Sequence, residues 1–171
     1  MKRWDAALKR LPINDVNMVE IGVWTGRMSE KLLKGHLKLN LIQIDRYLPY
    51  TNYERKNEGY TNFSFKKNDS FIKAKEKNKK RIKKYSKRVK LYIMDSLIAV
   101  KKIPDNFLDM VFIDGLKQNC KSEIKAYLPK IKKGGWIGGH DYPDRLMVKK
   151  AVEEMFQNFE IDCDKTWWYR V

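Results

Sequence analysis

Four short apolar runs in this chain lead into an aspartate, and that arrangement restricts the fold more than any other feature. Leu39 to Ile44 runs into Asp45, Val89 to Met94 into Asp95, and Leu108 to Ile113 into Asp114. Trp136 to Gly139 reaches Asp141 one residue beyond His140. An earlier run, Val16 to Ile21, ends at Gly22. Short apolar runs bounded by polar or glycine turns read as buried strands of a parallel sheet. The segments between them have helical spacing. Met28, Leu32 and Leu33 share a face over 27–34, as do Leu97, Val100 and Ile103 further on. Ser122 to Ile131 reads as a helix stopped by Gly134-Gly135, and Arg145 to Gln157 as one with Val148, Val152 and Met155 inward.

Alternating strands and helices imply a parallel sheet with helices on both faces, its first strand central. Phe159 to Cys163 and Trp167 to Val171 predict a closing hairpin. The expected architecture is α/β: a Rossmann-like, doubly wound, mostly parallel seven-stranded sheet with an antiparallel C-terminal strand, in a single domain over 1–171. The four aspartates would then line the carboxyl rim of the sheet, where such folds bind ligands. Within 46–88 lies an aromatic stretch with Tyr47, Tyr50, Tyr53, Tyr60, Phe63 and Phe65. Asn68-Asp69-Ser70 reads as a cap, followed by a helix to about Lys87 with Phe71, Ala74, Ile82 and Tyr85 on one side. A lid over a ligand and simple packing against the sheet edge both fit this span.

The net charge is +16, from 37 Lys and Arg against 21 Asp and Glu. Lysines are densest between Lys66 and Lys90. Such a field attracts polyanions; a solvated helix face and a nucleic-acid contact are both consistent with it. No apolar run approaches the roughly 20 residues of a membrane span, and the N-terminus lacks the apolar centre of a signal peptide. The expectation is a cytoplasmic protein without membrane contact. Cys120 and Cys163 share no metal-type spacing and are expected to be free thiols.

The segment Val19-Glu20-Ile21-Gly22-Val23-Trp24-Thr25-Gly26 carries the strongest local signal. Glycines after a strand let backbone approach a ligand closely. A dinucleotide fingerprint would read G-x-G-x-x-G; this one reads E-x-G-x-x-x-G. Glu20 would repel a pyrophosphate and suits a cation, such as the ammonium and sulfonium of S-adenosylmethionine. Asp45 lies 23 residues after Gly22. A strand-end acid there can accept both ribose hydroxyls, or simply hold a turn. Asp95-Ser96 could take an adenine edge, and Ser96 could also cap the next helix. Val23, Trp24 and Arg46, which adjoin these positions, and Asp114 are further candidate cofactor-binding residues.

The order E-x-G-x-x-x-G, Ile44-Asp45, Met94-Asp95-Ser96, Phe112-Ile113-Asp114-Gly115 and Gly134-Gly135-Trp136-Ile137-Gly138-Gly139-His140-Asp141-Tyr142 resembles a class I S-adenosylmethionine-dependent methyltransferase. More narrowly it is similar to the macrocin O-methyltransferase-like small-molecule branch. The resemblance spans 16 to about 157. It implies a cofactor site at Glu20, Gly22, Gly26, Asp45, Asp95 and Ser96, and a catalytic rim around Asp114, His140 and Asp141. Relatives often continue as D-G-x-H-x-Y after the fourth strand; this chain has Asp114-Gly115-Leu116-Lys117-Gln118-Asn119 and lacks that histidine and tyrosine.

The expected reaction is methyl transfer to a hydroxyl of a small molecule or glycan. His140 is the natural base, or it orders its turn only. Asp114 and Asp141, with His140, also form a metal-type set that would suit Mg²⁺. Two other readings stand beside this one. One is a nucleic-acid methyltransferase, for which no N-P-P-Y-like tetrapeptide is present. The other is a catalytically silent cofactor-binding module whose basic 66–90 stretch meets RNA or a protein. Assembly into a homo-oligomer is compatible with all three.

Overall fold

A computed structural model of the chain describes residues 1–49, 51 and 68–171. Seven strands form one sheet: β1 (Val16–Ile21), β2 (Leu39–Ile44), β3 (Val89–Tyr92), β4 (Leu108–Ile113), β5 (Ile131–Gly139), β6 (Glu160–Asp162) and β7 (Thr166–Arg170). Their order is β3-β2-β1-β4-β5-β7-β6. The first five are parallel, with β1 in the middle of that block. β7 returns antiparallel to β5, and β6 pairs antiparallel with β7 at the edge. This is the Rossmann-like sheet expected from the alternation of runs.

Among the described residues the α-helices are α1 (Arg3–Leu8), α2 (Arg27–Gly35), α3 (Asn68–Ile82), α4 (Ser96–Ala99), α5 (Cys120–Tyr127) and α6 (Leu146–Met155). Alternation along the strands sends successive side chains to opposite faces, and each face has its own core. Val16, Met18, Leu39 and Leu41 meet Ala6 and Ala7 of α1 and Leu32 and Leu33 of α2 on one side. Val19, Ile21 and Ile44 meet Ala99, Ile124 and Val152 on the other. The neighbours Trp167 and Trp168 on β7 are both fully buried, one in each core.

Several local readings need correction. α1 was not expected at all: it is only six residues long, and its N-terminus is held by the Lys2 N–H donating to Asp5 at 2.8 Å. Asn68, Asp69 and Ser70 form the first turn of α3 instead of preceding it. Gly134-Gly135 does not stop a helix. α5 ends at Tyr127, and Pro129, which has no N–H, sits in the tight turn that follows. The two glycines lie inside β5, where Leu108 pairs with Ile131 but Met110 already pairs with Trp136, so β5 bulges between them. The aromatic stretch is described only up to Pro49 and at Thr51, so the reading of 46–88 as a lid falls largely outside the described residues.

Most described lysines of α3 and of the turn that follows it are exposed. Lys73, Lys77, Lys79, Lys80, Lys83 and Lys84 are exposed. Arg81 donates to Glu30 of α2 at 2.6 Å, and Arg88 donates to the carbonyls of Leu33 and His36 at 3.0 and 2.9 Å. Both cysteines are free. Among the described residues, no helix is long and apolar enough to cross a membrane.

Candidate active site

The carboxyl ends of β1, β2, β3, β4 and β5 surround a cavity of about 600 Å³, a size typical of small-molecule sites. Glu20, Gly22, Val23, Trp24, Asp45, Arg46, Asp95, Ser96, Asp114, His140 and Asp141 all line it. Of the candidate cofactor-binding and catalytic residues, Gly26 alone does not. A Cβ at Gly26 would lie 1.9 Å from Oδ1 of Asn78, so this glycine makes room for α3, not for a ligand.

The turn after β1 is tightly wound. Gly22, Trp24 and Gly26 have φ of 82°, 52° and 71°, all in the left-handed region. Gly22 has a second constraint, because a Cβ there would lie 2.2 Å from the Asp114 carbonyl oxygen. Trp24 is held in a conformation that a bulky residue rarely adopts. Its N–H donates to Asp45 Oδ2 at 2.8 Å, and its carbonyl accepts the Tyr47 hydroxyl at 2.9 Å. The Tyr47 N–H donates to the other Asp45 oxygen at 2.8 Å. Asp45 is therefore oriented by the backbone on both sides of it. Burial raises its pKa, and the N–H groups of Trp24, Tyr47 and Val23 pull it back.

Glu20 sits beneath this turn, 2% exposed. Its carboxylate accepts a short hydrogen bond from the Ser29 hydroxyl, which accepts in turn from the Gln43 amide; Gln43 and Asn78 then exchange bonds at 2.9 and 3.1 Å. Burial pushes the Glu20 carboxyl up to about 8, against the Ser29 hydrogen bond, with the Asp114 charge adding to the rise. A buried acid facing a cavity favours a cation arriving there. At the β3 end, Asp95 caps α4 by accepting the Leu97 N–H at 2.8 Å. The cap is thus Asp95 and not Ser96. The Ser96 hydroxyl donates to Glu123 Oε1 at 2.5 Å, and its carbonyl accepts from the Tyr127 hydroxyl at 2.8 Å.

The other end of the cavity holds a charged cluster. His140 Nδ1 lies 2.9 Å from Asp141 Oδ1 and 3.7 Å from Asp114 Oδ1. Asp141 has φ 70°, a second strained non-glycine residue in the site. Burial works to raise its carboxyl, but the His140 hydrogen bond and the Lys117 ammonium outweigh it and hold the group well below the usual carboxylate range. Lys117 Nζ lies 2.8 Å from Asp114 and 2.7 Å from Asp141. Burial would lower the Lys117 pKa; the two carboxylates overcome it and raise it. Arg3 of α1 forms a short ion pair with Asp114 and reaches Asp164 at 3.4 Å.

Sequence reasoning did not assign Lys117 or Arg3 to the site. Lys117 stands where relatives of the D-G-x-H pattern carry histidine, and that position was the available signal. Arg3 had none beyond the apolar spacing of Trp4, Ala7 and Leu8, because it reaches Asp114 across 111 residues of chain.

A methyltransferase-domain model matches residues 19–142, which is most of the chain and includes every element just described from Glu20 to Asp141. The chain belongs to the methyltransferase-domain family. It is a class I S-adenosylmethionine-dependent methyltransferase, as the resemblance implied. Its fold is shared by the O-methyltransferase NovP, at 17% identity and a TM-score of 0.68, covering 97% of this chain and 74% of that one. The O-methyltransferase TomG from Streptomyces achromogenes, solved with S-adenosylmethionine, gives 14% identity, a TM-score of 0.63 and coverage of 98% and 77%. A precorrin-6y C5,15-methyltransferase from Geobacter metallireducens gives 18%, 0.66, and 94% and 73%. These likenesses establish the fold and do not single out the macrocin-like branch. No curated protein matches the chain in sequence.

Proposed function

We propose that this methyltransferase transfers the methyl group of S-adenosylmethionine to a hydroxyl of a small molecule or glycan, with His140 as the base, in a single domain spanning the chain. The residues present fit the cofactor. Glu20 offers a carboxyl to the ammonium, and Asp45, held by the Trp24 and Tyr47 N–H groups, keeps unused lone pairs for the ribose hydroxyls. Val23, Trp24 and Arg46 close around it, with Asp95 and Ser96 at the adenine end. The cofactor supplies an electrophilic methyl on a sulfonium, which the acceptor oxygen displaces as neutral thioether.

The observation that carries the acceptor reading is the contact between His140 and Asp141. An imidazole nitrogen facing a carboxylate at 2.9 Å carries the ring N–H. The lone pair of the neutral ring is then on Nε2, where it can accept a hydroxyl proton as the carbon–oxygen bond forms. Asp141 fixes the ring and stabilises the imidazolium that results, and Asp114 shares that role at 3.7 Å. The names of TomG and NovP, both O-methyltransferases, support an oxygen acceptor.

The test is a product assay for S-adenosylhomocysteine over sugars, phenols, hydroxy acids and short RNAs. Turnover on a hydroxylated small molecule well above RNA is expected. Methylation of RNA far above every small molecule would overturn the acceptor class and give the exposed lysines of α3 a substrate to hold. Cofactor binding with no turnover on any of them would favour the silent module.

A further inference from the structure

Asp114, His140 and Asp141 each offer a ligand atom within 4.8 Å of one another. That is the spacing of a divalent-metal site, and the sequence alone suggests Mg²⁺ there. A lysine shares that space. The Lys117 side chain enters the same space from the turn after β4, and its ammonium sits between the two carboxylates at 2.8 and 2.7 Å. It is nearly buried, at 9% exposure. A Mg²⁺ ion needs oxygens at about 2.1 Å in near-octahedral geometry and keeps several waters. It would have to share two carboxylates with a fixed positive charge lying against both. Arg3 places a second cation on Asp114.

We propose that Lys117 is a built-in cation, filling the position that Asp114, His140 and Asp141 would otherwise offer to a divalent metal, so that this transferase works without one. This rests on the proposed roles of His140 and Asp141. Lys117 acts here as a positioning residue. Its ammonium neutralises the two carboxylates at close quarters and fixes the Asp141 oxygen whose partner oxygen meets His140 Nδ1. A metal on the same carboxylates would supply that charge from solution, with an affinity; the lysine supplies it covalently, at full occupancy.

The inference is tested with Mn²⁺ as a paramagnetic probe, read by electron paramagnetic resonance, on the intact protein. Wild type is expected to leave free Mn²⁺ unchanged up to about millimolar concentration, and EDTA is expected to leave turnover unchanged. Lys117→Met removes the ammonium at similar length and should gain Mn²⁺ affinity by at least about tenfold, as paired carboxylates lose their fixed partner. Lys117→Arg keeps the charge and should gain none. Turnover should fall at least about tenfold in Lys117→Met through kcat and recover in part in Lys117→Arg. S-adenosylmethionine binding by calorimetry shows whether each variant is folded. One equivalent of Mn²⁺ bound at micromolar concentration by wild type and lost in Asp141→Asn would overturn the inference. So would a Lys117→Met protein that binds cofactor normally yet takes up no Mn²⁺. Because the Mn²⁺ titration needs no acceptor, a wrong acceptor class would appear in the product assay and leave this result intact.

Discussion

The Asp45 carboxylate at the end of β2 accepts the Trp24 N–H from the turn after β1 at 2.8 Å, so the two neighbouring strand ends share one anchor. The same carboxylate accepts from Tyr47 with its other oxygen. Asp45→Ala should therefore do more than remove a ribose contact. Loss of a charge-assisted hydrogen bond accounts for about 1.5–3 kcal/mol of cofactor affinity, roughly a 10- to 150-fold rise in Kd. Release of Trp24 from its left-handed conformation should add to that. Calorimetry with S-adenosylmethionine checks it; an unchanged Kd would remove Asp45 from the cofactor site.

Gly22 and Asp114 meet backbone to backbone, which makes Gly22 a packing residue as much as a ligand-facing one. With φ at 82° and an added Cβ 2.2 Å from the Asp114 carbonyl oxygen, Gly22→Ala must spread β1 from β4. The strained backbone and the clash together should lower stability by about 2–4 kcal/mol. Thermal unfolding should show this even without cofactor. A variant with wild-type stability and only weakened binding would assign Gly22 to the ligand alone.

Glu20 gives the fold a pH dependence of defined sign. Its carboxyl is raised from 4.5 to about 8 by burial, opposed by the Ser29 bond. An acid raised in the folded state contributes stability that is fully present below its unfolded value and lost as pH rises through the folded one. Between about pH 4.5 and 8, wild type should lose stability relative to Glu20→Gln, by about 3 to 5 kcal/mol across that window at most. The curves should run parallel above it. Denaturant titrations of both proteins in the cofactor-free state measure the difference, and parallel curves throughout would mean that Glu20 is already ionised near neutral pH.

The strand-end acids were legible because an aspartate directly after an apolar run is a local pattern. The place of Glu20 before the turn, the spacing to Asp45 and the Asp95-Ser96 pair followed in the same way, whereas the protonation that burial gives Glu20 did not. What the sequence hid depends on tertiary approach. Gly26 reads like a ligand-facing glycine, yet it faces Asn78 on α3, 52 residues away. Glycine marks any close approach, whichever group is approaching. Gly134-Gly135 likewise reads as a helix stop because Gly signals both helix ends and bulges, and Pro129 had already ended the helix. The six-residue α1 shows too few turns for periodicity to register, so Arg3 was invisible as a partner of Asp114.

His140 and Asp141 supply the sharpest test of the chemistry. If His140 takes the acceptor proton, His140→Ala should lower kcat by about 10²–10⁴ while leaving the cofactor Kd nearly unchanged. The His140 backbone N–H donates to the Ile113 carbonyl at 3.1 Å, and the substitution keeps that sheet pairing. The turn should thus survive the loss of the ring. Asp141→Asn separates the two parts of the role. An amide in place of the carboxylate can offer the ring an N–H and favour the other tautomer, with the proton on Nε2, where it blocks proton acceptance. Turnover should then fall nearly as far as in His140→Ala, and the double variant should lose little more than either single one. Additive losses would mean that the two residues act separately, with His140 ordering the turn and the base lying elsewhere.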